Sequence, residues 1–158
     1  MRKTLFVGAL VVCAVALFWG SAVLAADNWI GTWKLDVAKS KFSPGPAPRS
    51  VSLTFAATPD GIKFTSDGVD AGGKATHTEF VSRFDGKEVP YPGNPNADTG
   101  SPKRIDDNSY EGTWRKDGKV TIQLRGVVSK DGKTLTIHLK GKNAKGEAVD
   151  STTVYVKE

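Results

Sequence analysis

The chain is poor in the residues that most exported folds and most metal sites depend on. It has one cysteine, Cys13, in 158 residues, and Cys13 falls in a segment expected to be removed. The mature protein is therefore expected to lack disulfides and thiolate metal sites. Histidine is nearly as scarce, with His77 and His138 only. No paired-histidine zinc helix, Gly-x-Ser-x-Gly nucleophile elbow or phosphate-cradling glycine loop occurs. Ordinary catalytic machinery, a metal site and a bound cofactor are all unexpected. Charge of one sign is also lacking. The formal net charge is +5, and without Arg2 and Lys3 it falls to +3. The remaining cations are spread along the chain beside acids, as in Lys116-Asp117 and Lys130-Asp131. A nucleic-acid binder would gather them on one face, so these charges read as a solvated surface.

Only one long apolar run exists, Leu5 to Phe18, and it is shorter than the ~20 residues of a membrane-spanning helix. Arg2 and Lys3 precede it, and the small-residue exit Ser21-Ala22-Val23-Leu24-Ala25 follows. That order is the pattern of a secretory signal peptide. Val23 and Ala25 suit the two small pockets of a signal peptidase, which places cleavage after Ala25, with Ala26 as the fallback. Residues 1–25 are read as the signal and residues 26–158 as one domain, periplasmic or extracellular, with no membrane span once the signal is gone. Nothing in the pattern assigns an oligomeric state.

What remains is abundant alternation. Val51, Leu53 and Phe55 alternate with polar residues, as do Ile62 and Phe64, Val120, Ile122 and Leu124, and Leu135, Ile137 and Leu139. Period two with β-branched and aromatic residues marks strands buried on one face. Asp60-Gly61, Asp85-Gly86, Asp117-Gly118 and Asp131-Gly132 supply hairpin turns. Strands are expected near 28–36, 49–57, 61–67, 74–84, 87–91, 109–116, 119–128, 133–141 and 147–156. Residues 37–48 are expected to start with a helical turn and become extended through Pro44, Pro46 and Pro48. Residues 89–105, with Pro90, Pro92, Pro95 and Pro102, are expected to form one long loop. The fold class is all-β: an antiparallel up-and-down meander of eight or nine strands. Pairing of the Trp33 strand with the Tyr155 strand would close it into a barrel and remove exposed edges. An open two-sheet sandwich is the alternative.

The Gly31-Thr32-Trp33 motif on the first strand resembles that of the calycins, which include lipocalins and fatty-acid-binding proteins. Gly31-Thr32-Trp33-Lys34-Leu35, then Lys39-Ser40-Lys41-Phe42-Ser43-Pro44-Gly45-Pro46, also looks like a group of small exported bacterial proteins. Gly93-Asn94-Pro95, Ala97-Asp98 and Lys103-Arg104-Ile105-Asp106 extend that likeness. The resemblance implies a barrel whose base is closed by Gly31 and Trp33. It also has limits, because fatty-acid-binding proteins carry a helical pair after the first strand and an Arg-x-Tyr on the last. Residues 37–48 are too short for the first, and Thr153-Val154-Tyr155 lacks the arginine.

Trp33, Phe55, Phe64, Phe80, Tyr110, Trp114 and Tyr155 are expected to project inward. They either fill the barrel or line a small apolar cavity. On the second reading Phe55, Phe64, Tyr110, Gly112, Trp114 and Tyr155 hold a small apolar ligand, with Gly112 leaving space between two rings. The filled barrel would instead be a structural or interaction module of the envelope. An enzyme using His77 and Glu79 is the least favoured reading, since Phe80 and Phe84 inward would put His77, Glu79 and Arg83 on the surface. His138 is expected to be exposed. Asn94, Asn96 and Asp98 are spaced faintly like a calcium loop but lack its carboxylates. Intact-mass measurement of the secreted protein is expected to give an N-terminus at Ala26; retention of residues 1–25 overturns the export reading.

Overall fold

Short alternating runs joined by tight turns leave this chain one economical arrangement, a sheet in which each strand pairs with its sequence neighbour. The computed structural model describes residues 27–158. The expected signal, with Cys13 and the Ala25–Ala26 junction, lies outside the described residues. The strands in order are β1 (Gly31–Leu35), β2 (Ser50–Thr58), β3 (Gly61–Val69), β4 (Ala75–Ser82), β5 (Val89–Pro90), β6 (Thr99–Asp106), β7 (Ser109–Lys116), β8 (Lys119–Val128), β9 (Thr134–Lys142) and β10 (Ala148–Lys157). They form one sheet in the order β4-β3-β2-β1-β10-β9-β8-β7-β6-β5. The β7–β8 turn shows how the Asp-Gly signal works. Asp117 (φ 50°) and Gly118 (φ 73°) both take positive φ between the paired Lys116 and Lys119, as a two-residue hairpin turn requires.

The first and last strands meet. Leu35 pairs with Tyr155 and Trp33 with Lys157, while β1 pairs with β2 along its other edge. β1 is too short to cover all of β10, and the segment after it completes the cover. Asp36 caps a 3-10 turn, Val37–Lys39, by accepting from the Lys39 N–H at 3.1 Å. The chain then rejoins β10, where Lys41 and Thr152 exchange backbone hydrogen bonds of 2.7 and 2.9 Å. The result is a nearly closed barrel. β4 and β5 stand at the two ends of the strand order and share no ladder.

Two expectations are corrected. Among the described residues the strand count is ten, not eight or nine, because residues 89–105 are not one long loop. Residues 99–106 form β6, despite Gly100 and Pro102. The Arg104 N–H donates to the Phe84 carbonyl, on the side away from β7. Pro102, two residues earlier, has its nitrogen on that same side. It therefore costs the β6–β7 ladder nothing, which is where proline is tolerated in a sheet.

Large side chains fill the base of the barrel. Trp29 and Trp33 are fully buried, and the Trp33 indole N–H donates to the Trp29 carbonyl at 2.8 Å. Trp29 packs on Phe84, Tyr110 and Phe55 at ring separations of 4.8, 5.4 and 5.6 Å. Phe84 reaches this cluster from a left-handed backbone (φ 53°), a conformation that a bulky residue keeps only when its surroundings compel it. Gly31 leaves room for the stem of Lys157 to cross it, where a Cβ would lie 2.9 Å from the lysine Cε. The ammonium then sits 5.0 Å from the Trp33 ring centre and donates to the Asn28 carbonyl at 3.2 Å. Trp33→Ala is expected to cost ~3–5 kcal/mol, a large share of the ~5–15 kcal/mol of a domain. Thermal or denaturant melts check this, and a parent-like melt overturns the base assignment.

Candidate ligand-binding site

Above the base the inward side chains stop short of filling the barrel. They line a cavity of about 410 Å³ that is partly open to solvent, within the ~300–1,000 Å³ range of ligand pockets. Phe55, Phe64, Tyr110, Gly112, Trp114 and Tyr155, the residues singled out from the sequence, all line it. Gly31 and Trp33 lie outside the lining, in the base. The aromatic wall is continuous. Ring centres run from Phe55 to Phe64 at 5.0 Å, to Phe80 at 4.9 Å, to Tyr91 at 4.4 Å and to Trp114 at 6.0 Å. This belt crosses the seam between β4 and β5, where Phe80 and Tyr91 stack at 23°.

Glycines set how the rings lie. Gly112 faces Leu124 across the β7–β8 ladder, and a Cβ there would touch the Leu124 side chain at 3.4 Å. Leu124 thus takes part of the space expected between Tyr110 and Trp114, and Gly112 and Leu124 both line the cavity. Gly126 and Gly100, which pattern reading passed over, are more tightly constrained. A Cβ on Gly126 would come within 2.4 Å of the Tyr110 ring, and one on Gly100 within 2.5 Å of the Tyr91 ring. Each glycine is a flat seat for a tyrosine, and glycine inside a strand was the available signal.

Tyr91 also escaped notice, because the segment around it carries no alternation. Pro90 and Pro92 flank it, and the next residues turn on themselves to form a strap. Asn94 Oδ1 accepts from the Asn96 N–H at 2.9 Å. Asn96 Oδ1 accepts from the Ala144 N–H at 3.1 Å, and its carbonyl accepts from the Thr121 hydroxyl at 2.8 Å. The oxygens that resemble calcium ligands are thus bound to the protein's own donors. Asp98 ends the strap, accepting from Lys116 Nζ at 2.5 Å and from the Asp117 N–H at 3.0 Å. These two bonds hold its carboxyl below the usual range. On the opposite side Gly93 rests against the His77 carbonyl, where a Cβ would be 2.0 Å away. Gly93, Asn94, Pro95 and Asn96 join Pro48, Thr76 and Thr78 in the lining.

The polar groups inside are neutral. Burial pushes the Tyr155 phenol up to about 12 and raises Tyr91 and Tyr110 as well. The buried indole N–H of Trp114 meets no acceptor at full hydrogen-bond geometry among the described residues, yet it lies near enough to the Tyr91 phenol to offset part of the rise that burial causes there. Thr153 donates to the Ile137 carbonyl at 3.3 Å. His77 and Glu79 are on the outer face, since Thr76, Thr78 and Phe80 of the same strand line the cavity. His77 Nδ1 meets Asp67 Oδ1 at 2.6 Å, and Glu79 meets Lys63 Nζ at 2.8 Å. Arg83 is exposed too, as is His138, whose Nδ1 lies 3.0 Å from the Thr152 hydroxyl.

No family model and no curated protein sequence matches the chain. Solved structures do. The zebrafish ileal bile acid-binding protein complexed with cholic acid is similar over 83% of this chain and 99% of that one, at 14% identity and a TM-score of 0.50. A Nostoc punctiforme protein of unknown function from the DUF3598 family is similar over 83% of this chain, at 14% identity and a TM-score of 0.51. This chain spans 48% of that protein. The fold is calycin-like. Within it, Gly126→Ala is expected to lower stability by ~1–3 kcal/mol through overpacking against Tyr110, and Gly112→Ala to be nearly neutral. Paired thermal melts test the contrast, and equal effects would remove the seat assigned to Tyr110.

Proposed function

We propose that this protein is a non-catalytic carrier that holds a small, largely apolar ligand inside its barrel. The observation that carries the reading is the cavity of about 410 Å³ bounded by a continuous aromatic wall. A packed interior leaves few voids larger than a water molecule, so side chains chosen only to fill the barrel have no reason to stop short here. The calycin-like fold supports the reading, since the zebrafish protein of that fold is a bile acid-binding protein seen with cholic acid. The carrier works outside the cytoplasm, on the strength of the signal pattern in residues 1–25. Residues 26–158 then form the working domain, and the His77 and Glu79 side chains on the outer face take no part in binding.

Nile red, an uncharged dye whose emission changes in apolar surroundings, is expected to bind saturably at one site per chain. Gly112→Leu adds volume beside Leu124 and is expected to weaken that binding at least tenfold, with a melt close to that of the parent. Fluorescence titration alongside thermal melts reads both effects. Absence of saturable dye binding by the folded parent overturns the carrier reading.

A further inference from the structure

The cavity's charge carries the carrier reading one step further. Among the described residues, lysine, arginine and histidine are all missing from its lining. The one ionisable residue there besides the tyrosines is Glu111, and it does not serve the interior. It alternates with the inward Tyr110 and Gly112 on β7, and its carboxylate stands 3.7 Å from Lys103 Nζ on the outer face. Thr153, two residues before Tyr155, spends its hydroxyl on the Ile137 carbonyl. Arg49 and Lys74 precede β2 and β4 and are not part of the lining. The cavity is partly open to solvent, but an ionised carboxylate drawn down against the aromatic wall would give up much of its water and gain no cation there, so the charged form is disfavoured at that depth.

The interior does offer neutral donors. Tyr91, Tyr110 and Tyr155 are buried and line the cavity. Burial keeps their phenols protonated well past neutral pH, so each can donate but not carry charge. Around them are the ring faces of Phe55, Phe64, Phe80 and Trp114.

Resting on the carrier reading, we infer that the site selects an uncharged ligand with a flat, apolar body and a carbonyl or ether oxygen as hydrogen-bond acceptor, and rejects the matching carboxylate. The aromatic belt takes the body and the tyrosine hydroxyls take the oxygen. Selectivity comes from the penalty on an unpaired buried charge, which needs no dedicated repelling group.

The probes are 1-pyrenebutyrate and its methyl ester, which share one ring system and differ in charge. Each is titrated against Nile red bound to the full mature protein. The ester is expected to displace the dye at a concentration at least tenfold lower than the acid. A smaller ratio, or displacement by neither, overturns the inference while Nile red binding leaves the carrier reading standing. Without saturable Nile red binding, both fall. The double variant Tyr110→Phe, Tyr155→Phe keeps the rings and removes two donors. It is expected to weaken the ester about fivefold, the size of a neutral hydrogen bond, and to leave unsubstituted pyrene unchanged. Equal loss for both ligands, or loss for neither, overturns the role of the hydroxyls.

Discussion

The pairing of β1 with β10 is the constraint on which the structure depends. A meander can enclose a volume only when strands far apart in sequence join. Here Leu35 pairs with Tyr155 and Trp33 with Lys157. Closing that loop of chain costs conformational entropy, though the cost grows only slowly with length. The return comes from burial at the same place. Trp33 is fully buried under the Lys157 stem, and its indole N–H is satisfied by the Trp29 carbonyl. Without that seam neither the aromatic base nor the cavity above it would have walls.

The other ends of the sheet are managed differently. β4 and β5 would present free edges, which invite pairing with other chains. β5 is only Val89–Pro90, too short and too proline-rich to template a partner. The strap beyond it covers the β4 edge, with Gly93 against the His77 carbonyl and Tyr91 stacked on Phe80. Side-chain packing thus bridges β4 and β5, which share no ladder, while farther along the chain after β4 bonds directly to β6, the Gly86 N–H donating to the Pro102 carbonyl and the Arg104 N–H to the Phe84 carbonyl. The strap is in turn held by Asn96 and Asp98 to the β7–β8 turn region and the β9–β10 turn. The same segment therefore closes an edge and completes the lining.

Much of this was legible from period two. The inward set Phe55, Phe64, Phe80, Tyr110, Trp114 and Tyr155 follows from alternation within single strands, and so does the outward placement of His77 and Glu79. Legibility failed where the pattern was absent. β6 carries Gly100 and Pro102, residues that argue against a strand unless the proline nitrogen faces away from the neighbouring ladder, as it does here with β7. Tyr91 sits between two prolines with no neighbour to alternate with. Gly126 and Gly100 look like weak points of strands until the rings that cover them are seen.

The sequence by itself determined most of the residues that face inward and most of the turns, though Val120 is exposed and Asp85-Gly86 joins β4 to a strand it does not pair with. Those properties depend on residue type and local spacing, and both are written along the chain. The space left inside was decided by the tertiary structure alone. Whether Leu124 fills the gap at Gly112, or Tyr91 closes the wall beside Phe80, depends on cross-strand register and on a strap that folds back from elsewhere. A cavity is a difference between enclosed volume and side-chain volume, and only the closed sheet sets the first of these.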